Sequence, residues 1–352
     1  MGGRIPVTFA IPGDLGTRTG GYGYDRRVLA LLPDCGIDVR YLALPGGFPA
    51  PGAPELDETA RLLGLVPQDA VLLVDGLAFG VLPETLLTSL RSPLVALVHH
   101  PLGLETGLPA SERARLIACE ARALAHARHC IVTSAMTARL VTQELGFPAG
   151  RITVAEPGTD AAPRARGSGG YPATLFAAGS IIPRKGYDVL IGALARLRDI
   201  DWRLVIAGSP ARAPQTALEL QAQIAALGLG QRVILRGDLS EAELDAAYDR
   251  ADIFVMSSHF EGYGMVLAEA MARGLPIVMT RGGAAAETVP DAAALKVSPG
   301  EAPALAAALR RMITDKGLRQ DCANAAWEVG QDLPRWNGTA RIIADALRAA
   351  AR

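Results

Sequence analysis

Two glutamates, Glu261 and Glu269, lie eight positions apart on either side of a short turn that is rich in glycine. The apolar residues 253–256 predict a strand before this turn, and an apolar helix is predicted to follow it. The first amides of a helix have no partner within the helix, so they can bind a phosphate group. With a carboxylate on each side to bind hydroxyl groups, the arrangement predicts a ligand with the layout of a nucleotide-sugar.

The residues around this pair resemble a known family. Residues 260–264 read Phe-Glu-Gly-Tyr-Gly, and residues 269–278 read Glu-Ala-Met-Ala-Arg-Gly-Leu-Pro-Ile-Val. This text is similar to the Glu-x7-Glu region of the retaining glycosyltransferases of family 4. The resemblance implies a hexosyltransferase-type enzyme that moves a sugar from a nucleoside-diphosphate sugar, usually UDP- or GDP-linked, to an acceptor hydroxyl, forming an α-glycosidic bond. It also implies the α/β fold named GT-B, with two Rossmann-like domains whose parallel sheets face each other across a cleft.

The resemblance assigns roles within this motif. Glu261 is expected to be catalytic and to grip the transferred sugar, and Glu269 is expected to bind the ribose hydroxyls of the donor. The residues between them are also expected to contact the donor: Gly262, Tyr263, Gly264, Met265 and Val266. The simpler interpretations are a solvated loop acid and an acid that is favoured near a helix start by the helix dipole.

Arg184 and Lys185 are adjacent cations in a loop that follows the predicted strand 174–178. Fixed cations at such a place would stabilise the negative charge that grows on a departing diphosphate. The family grips the diphosphate with Arg and Lys and needs no metal ion or other cofactor, so the resemblance implies that both residues are catalytic and donor-binding. Taken alone, the pair would be interpreted as ordinary surface charge. Three further residues of nearby loops are predicted to contact the donor: Gly179, Gly208 and Asp238.

A glycine-rich loop follows the first predicted strand and leads into a helix. It does not satisfy the Gly-x-Gly-x-x-Gly fingerprint of dinucleotide binding, because an arginine stands where the third glycine is needed. The family has a Gly-Gly pair here, matched by Gly20 and Gly21, where the bare backbone lets the donor phosphates approach. Asp14 and Arg18 flank the loop and are predicted to contact the acceptor.

Two histidines, His99 and His100, follow the predicted strand 94–98, at the strand end where parallel sheets bind ligands. The family commonly has a histidine here. We assign His99 to catalysis and His100 to the acceptor, while which of the two faces the site stays open, as does an ordinary loop role. Ser134 fits the family pattern on the acceptor side, and a helix N-cap is the equal alternative.

Length and composition set the outer limits. The chain has 352 residues, which exceeds the usual size of one hydrophobic core and predicts two domains. Half of the residues are hydrophobic and the formal net charge is −1, so no concentrated basic surface for nucleic acid is predicted. The four cysteines form no Cys-x-x-Cys pair, which argues against a zinc site and for a reducing cytoplasm. No apolar run approaches the roughly 18 residues of a membrane span, although peripheral membrane contact stays open.

Apolar strand patterns alternate with helical stretches along both halves of the chain, which predicts parallel sheets. The predicted strands are residues 7–11, 39–44, 71–74, 94–98, 130–133, 152–155, 174–178, 203–207, 233–235, 253–256 and 277–279. Residues 157–172 are rich in Pro, Gly and Ala and predict a linker. The domain prediction is therefore 1–165 for the acceptor, 172–334 for the nucleotide-sugar, and 335–352 as a helix that crosses back onto the first domain.

The sequence offers no nucleophile placed for covalent catalysis, so the resemblance implies front-face attack assisted by the leaving phosphate. One departure from the family is Ala286, which stands where a proline usually precedes the glutamate of a Gly-Gly-x-x-Glu segment. Two alternatives remain open: a nucleotide-sugar epimerase or a phosphorylase of related fold, and a non-catalytic nucleotide-sugar-binding protein. The acceptor, whether sugar, lipid or small molecule, is not identified by any pattern in the sequence.

Overall fold

Two parallel β-sheets of six strands each organise the chain. The computed structural model describes residues 4–170 and 172–352; residues 1–3 of the predicted first domain and residue 171 of the predicted linker lie outside them. The described residues form two units. One runs to Gly158 and includes Pro334–Arg352, and the other is Thr159–Leu333. The α/β class predicted from the sequence is confirmed.

The sheet of the first unit has the order β2-β1-β3-β4-β5-β6, with every pair parallel. Its strands are β1 (Ile5–Pro12), β2 (Ile37–Leu44), β3 (Val71–Asp75), β4 (Leu94–Val98), β5 (His129–Val132) and β6 (Ile152–Val154). Its helices are α1 (Gly20–Leu31), α2 (Ala53–Gly64), α3 (Gly76–Phe79), α4 (Glu84–Ser89), α5 (Ala110–Ala125), α6 (Ala135–Leu145) and, from the end of the chain, α14 (Trp336–Ala350). The order reverses between β1 and β3, and ligands of such sheets bind at the carboxyl ends of the strands beside that point.

The sheet of the second unit has the order β12-β11-β10-β7-β8-β9 and is also parallel throughout. Its strands are β7 (Ala173–Ala178), β8 (Trp202–Ala207), β9 (Val233–Leu235), β10 (Ile253–Met256), β11 (Ile277–Thr280) and β12 (Ala294–Val297). Its helices are α7 (Tyr187–Leu194), α8 (Pro214–Ala226), α9 (Glu241–Asp249), α10 (Met265–Ala272), α11 (Ala285–Thr288), α12 (Ala302–Thr314) and α13 (Lys316–Asp332). Here the order reverses between β7 and β10.

The central strands are buried on both faces, as expected for strands covered by helices on each side. Every residue of β3, β4, β10 and β11 is buried. Their continuous apolar runs made these strands visible in the sequence. Strand β12 was not predicted, because its short sequence Ala-Leu-Lys-Val places a lysine, Lys296, in the middle of a strand at the edge of the sheet.

The predicted linker begins where the units divide, but much of it packs on the second unit. The amide of Ala165 donates to the carbonyl of Arg273 over 2.9 Å. The side chain of Arg166 forms an ion pair with Asp249, and the amide of Ser168 donates to Asp252 over 3.0 Å. Residues 159–165, which the sequence assigned to the first domain, therefore belong to the second unit.

The terminal helix α14 is part of the first unit. Thr339 Oγ1 donates to the carbonyl of Glu156 over 2.7 Å, and Trp336 packs edge-on against Tyr24 with ring centroids 5.8 Å apart. A Cβ at Gly158 would lie 2.2 Å from Trp336 N, so the chain can pass this helix only as glycine. Among the described residues, every helix is too short or too polar to span a membrane.

Candidate active site

The two cations of the loop after β7 lie against Glu261. Lys185 Nζ donates to Glu261 Oε1 over 2.7 Å, and Arg184 Nη1 donates to Glu261 Oε2 over 3.3 Å. The exposed fractions of the three side chains are 12% for Lys185, 18% for Arg184 and 9% for Glu261. Three of the four side chains predicted to be catalytic thus form one charged, largely buried cluster at the carboxyl ends of β7 and β10.

Backbone contacts fix the cation loop against the chain that leaves β10. The carbonyl of Lys185 accepts a hydrogen bond from Ser257 Oγ over 2.9 Å, and the carbonyl of Arg184 accepts one from the amide of His259 over 2.7 Å. Gly186 then turns the chain into α7 with a φ of 58°, and a Cβ there would lie 2.4 Å from Ser257 O. The approach of the two loops therefore requires glycine at this position.

The backbone of Glu261 is held on its other side by a glycine pair. Its amide donates to the carbonyl of Gly282 over 3.2 Å, and its carbonyl accepts from the amide of Ala284 over 2.8 Å. A Cβ at Gly283 would lie 2.4 Å from Glu261 O. The glycine pair thus serves close backbone packing, and the departure at Ala286 leaves this pairing in place.

The charge state of Glu261 follows from this setting. Burial acts to raise its pKa, but the charges of Lys185 and Arg184 outweigh burial and hold the pKa of Glu261 at about 2. The carboxylate is therefore ionised at neutral pH. An ionised carboxylate accepts hydrogen bonds only, which suits a group that binds hydroxyls.

The turn between the two glutamates leads directly into α10. Gly264 stands at the N-cap with a φ of 93°, a conformation that favours glycine, and Met265 and Val266 form the first turn of the helix. Gly262 and Tyr263 precede them, and Tyr263 is buried. The five residues predicted to contact a donor thus surround one helix start, where outward-facing amides and the positive end of the helix dipole favour an anion.

Glu269 lies on the second turn of α10 in a network of its own. Tyr248 Oη donates to Glu269 Oε2 over 2.7 Å. The guanidinium of Arg273 lies 4.7 Å from the centre of the Tyr248 ring, donates to the carbonyl of Glu269 over 3.1 Å and forms an ion pair with Asp245. Burial raises the pKa of Glu269, opposed by the Tyr248 hydrogen bond and the Arg273 charge. One carboxylate oxygen is thus committed to Tyr248, and the other is available to a ligand.

The remaining predicted donor residues occupy the loops after β7, β8 and β9. Gly179 has a φ of 142°, and its carbonyl would lie 1.8 Å from a Cβ at Gly208. The amide of Gly208 donates to the carbonyl of Gly237 over 2.8 Å. Asp238 follows as an exposed residue. The first two are therefore packed backbone to backbone, whereas Asp238 presents its side chain to solvent.

In the first unit, His99 lies between two aspartates that were not among the predicted site residues. His99 Nε2 is 3.1 Å from Asp25 Oδ1 and 3.4 Å from Asp75 Oδ2. Asp25 and Asp75 are fully buried, while 23% of the His99 side chain is exposed. The side-chain nitrogen and oxygen atoms of these three residues that could bind a metal ion lie within 4.8 Å of one another. In the described part of the chain no other group of three such residues is this close together.

Charge interactions control the titration of this group. Burial acts to lower the pKa of His99, but the charges and hydrogen bonds of Asp25 and Asp75 outweigh it and raise this pKa to about 10. Burial raises the pKa of Asp25 to about 7 against the attraction of His99. Both carboxylate neighbours favour the protonated ring, and this is the cause of the upward shift in the pKa of His99.

The other predicted residues of the first unit lie around this group to different degrees. Gly20 and Gly21 are the first residues of α1, five and four positions before Asp25, and a Cβ at Gly21 would lie 3.5 Å from the His99 ring. Asp14 and Arg18 are exposed. The other two predicted acceptor residues differ in burial. His100 is half-buried. Ser134 is buried as the N-cap of α6, where its Oγ accepts from the amide of Thr137 over 3.0 Å. The N-cap alternative for Ser134 is therefore present.

Two family models match the chain in adjoining segments. The model described as glycosyl transferases group 1 matches residues 160–329, and the model described as a glycosyl transferase 4-like domain matches residues 7–158. The chain belongs to the family 4 glycosyltransferases. The family resemblance drawn from the Glu-x7-Glu region is confirmed.

A curated relative and two solved structures illustrate the likeness. D-inositol 3-phosphate glycosyltransferase of Arthrobacter sp. (strain FB24) is 34% identical over 214 residues, which are 56% of this chain and 50% of that protein. The chain spans about half the length of the first curated relatives it matches. Sucrose-phosphate synthase from Thermosynechococcus elongatus has a TM-score of 0.81 at 21% identity, with 97% of this chain and 98% of that chain covered. Anabaena Alr3699/HepE in complex with UDP-glucose has a TM-score of 0.76 at 19% identity, with 97% and 99% covered. These likenesses confirm the predicted GT-B fold class.

Within this family 4 chain, sequence reasoning missed three polar residues that hold predicted site residues. Tyr248 binds Glu269, and Asp25 and Asp75 flank His99. A signal existed for Asp75, because it ends a strand whose other residues are all apolar. Asp25 stood inside the helix already assigned to the site. Tyr248 gave no signal, since a tyrosine at the end of an amphipathic helix is most often a core residue.

Proposed function

We propose that the chain is a retaining glycosyltransferase that moves a sugar from a nucleoside-diphosphate sugar to an acceptor hydroxyl, forming an α-glycosidic bond. The observation that carries the proposal is the buried ion pair of Lys185 with Glu261, and Glu261 stands four residues before the start of α10. The cations and the helix start suit the diphosphate of such a donor, Glu261 suits its sugar, and Glu269 suits its ribose.

The donor is assigned to the second unit. Glu269, with one oxygen committed to Tyr248, has the other to accept a hydrogen bond from a ribose hydroxyl. The helix start of α10 supplies amides for the diphosphate. A solved structure with the same fold carries UDP-glucose by its own description. UDP and GDP are accordingly the first nucleotides to test. The proposal requires no metal ion and no cofactor.

The chemistry assigned to the cluster is as follows. The bond between the sugar C1 and the diphosphate oxygen breaks, and a bond from the acceptor oxygen to C1 forms on the same face. The acceptor proton passes to the leaving phosphate. Arg184 and Lys185 stabilise the departing diphosphate, and Glu261, ionised because of these cations, binds and orients the sugar hydroxyls. No enzymic nucleophile is required.

The acceptor is assigned to the first unit, where His99 remains the catalytic candidate and Asp14, Arg18 and His100 the acceptor candidates. The exposed positions of Asp14 and Arg18 suit groups that meet a soluble molecule. Ser134 differs from these residues, because its hydroxyl caps α6 and is buried. The acceptor itself is to be found by experiment.

The test is product analysis with purified protein, UDP- and GDP-sugars, and a panel of sugar, sugar-phosphate, inositol-phosphate and lipid acceptors. We expect an acceptor-dependent glycoside whose anomeric proton has the coupling of an α-linkage, and we expect Glu261→Gln to abolish it. The matched control is Glu219→Gln, which changes an exposed glutamate of the same unit. A donor converted to another sugar-nucleotide without any acceptor would instead identify an epimerase, and binding without turnover would identify a binding protein.

A further inference from the structure

We propose that Asp25 and Asp75 are positioning residues that commit Nε2 of His99 as a hydrogen-bond donor, so that His99 acts in its site as a fixed donor and cation and not as a base. Nε2 faces a carboxylate oxygen of each aspartate, at 3.1 and 3.4 Å. In the protonated ring Nε2 carries a proton, and an ionised carboxylate can only accept, so a contact with an ionised aspartate has the ring nitrogen as its donor. The inference rests on the proposed function for the site in which His99 acts.

Neighbouring elements fix the ring from several sides. Asp25 stands on α1, and Asp75 ends β3, where its Oδ1 accepts from the amide of Leu77 over 2.8 Å. The ring of Tyr24 packs edge-on against the His99 ring, with centroids 5.2 Å apart. Thr133 Oγ1, just after β5, donates to the carbonyl of His99 over 3.3 Å. The imidazole thus has little freedom to turn Nε2 away from the carboxylates.

The two buried carboxylates need a positive neighbour. Within the described residues Asp25 Oδ2 has no hydrogen-bond donor, and a buried, poorly paired carboxylate is costly. Among the residues that the structure describes, the titratable groups that face His99 are Asp25 and Tyr24 from α1 and Asp75 from the end of β3. Thr133 is uncharged. Since the closest of these groups are acids, His99 is the group that supplies the positive charge.

The consequence for chemistry is specific. With Nε2 committed to the carboxylates, Nδ1 is the ring nitrogen that remains for a substrate, and 23% of the side chain is exposed. In the protonated ring Nδ1 also donates, so His99 can bind a substrate oxygen or a phosphate but cannot remove an acceptor proton. Proton removal is then left to the departing phosphate, as in the proposed reaction.

The direct test is nuclear magnetic resonance of the full chain with 15N-labelled histidine, the His99 signals being assigned by their loss in His99→Gln. We expect both ring nitrogens of His99 to stay protonated from about pH 6 to 9. In Asp25→Asn and in Asp75→Asn the ring should lose its proton at a lower pH than in the wild type. Asp57→Asn, an exposed aspartate of α2 in the same unit, is the control and should change nothing. A wild-type ring that is neutral at about pH 8, or aspartate variants with an unchanged titration, would overturn the inference.

Two further arms make the result decisive. Purified protein is analysed for bound metal: a stoichiometric divalent ion that is retained by the wild type and lost in Asp25→Asn would overturn the inference, because the three side chains would then be ligands. The pH dependence of sugar transfer is compared for wild type and Asp75→Asn, and we expect an additional loss of kcat at alkaline pH in the variant alone. The resonance experiment needs no activity, so a failure of the proposed function leaves it standing. If Asp25→Asn does not fold, the wild type and Asp75→Asn suffice.

Discussion

Lys185 Nζ donates to Glu261 Oε1 over 2.7 Å, and this bond joins the loop after β7 to the loop after β10. These are the two strands between which the strand order of the second sheet reverses. The group expected to neutralise a phosphate and the group expected to hold a sugar are therefore one ion pair. A substitution of either residue should affect both parts of the donor.

Lys185→Met is expected to reduce kcat/KM for sugar transfer by roughly 10²- to 10³-fold, the usual loss when one transition-state stabiliser is removed. The pKa of Glu261 should also rise, because Lys185 is the larger of the two charges that lower it. Steady-state kinetics with a fixed acceptor measure the first effect. Arg203→Met, at an exposed cation of β8, is the control. Equal kinetics for Lys185→Met and the control would refute the assignment.

Tyr248→Phe is expected to weaken binding of a ribonucleoside diphosphate by about three- to tenfold, the range of one ordinary hydrogen bond, because Glu269 loses the donor that holds it. Binding of the 2′-deoxyribonucleoside diphosphate should fall by less, because that ligand gives Glu269 one hydroxyl fewer. Calorimetric titration of both nucleotides measures the difference. Tyr41→Phe, at a half-exposed tyrosine of the first unit, serves as control. A loss of the same size for the two nucleotides would contradict a role of Tyr248 that passes through Glu269 to the ribose hydroxyls.

Glu120→Gln should stabilise the protein increasingly as the pH rises. Glu120 is buried on α5, its Oε2 accepts from the amide of Gly103 over 3.1 Å, and burial raises its pKa to about 7. The folded state therefore holds this proton more firmly than the unfolded chain, so the wild type loses stability between about pH 4.5 and 7.

The rise in the pKa of Glu120 from 4.5 to about 7 corresponds to a loss of about 3 kcal/mol in the wild type's free energy of unfolding across this pH range. Thermal or urea unfolding of the wild type and Glu120→Gln between about pH 5 and 8 measures this loss. The contributions of the other titrating groups cancel when the free energies of unfolding of the two proteins are subtracted. A difference between variant and wild type that does not grow with pH would contradict the prediction.

Gly208→Ala should destabilise the second unit by about 2 kcal/mol or more, because the new Cβ would meet the carbonyl of Gly179 at 1.8 Å. The loop that carries Lys185 begins at Gly179, so nucleotide binding should weaken as well. Gly230→Ala is the matched control, since a Cβ there has nothing within 4 Å. If the two alanine variants unfolded at the same temperature, the close packing of these loops would be disproved.

The sequence predicted the parts of the site that depend on local pattern. Strand ends could be located from apolar runs, so the loops carrying His99, Lys185 and Glu261 were found at the carboxyl edges of the sheets. Partners that are distant in the chain could not be found this way: Asp25 and His99 are 74 positions apart, and Tyr248 and Glu269 are 21. Their pairing depends on how helices pack on the sheets, which no local pattern records.

Other differences have equally local causes. The boundary of the first domain was placed too late, because a stretch rich in Pro and Gly gave no sign that Ala165 and Arg166 bind the second unit. For Ser134 the sequence could not separate a site role from an N-cap, since both use the same hydroxyl at the same strand end.

The most direct measurement is calorimetric titration of UDP, GDP and ADP into the wild type and Glu269→Ala, with a chelator present to remove metal ions. We predict that one of the three nucleotides binds the wild type without metal and that Glu269→Ala binds it at least about tenfold more weakly, as for loss of a charged hydrogen bond. If none of the nucleotides binds, or if Glu269→Ala binds as tightly as the wild type, the second unit does not hold a nucleotide-sugar in the way proposed.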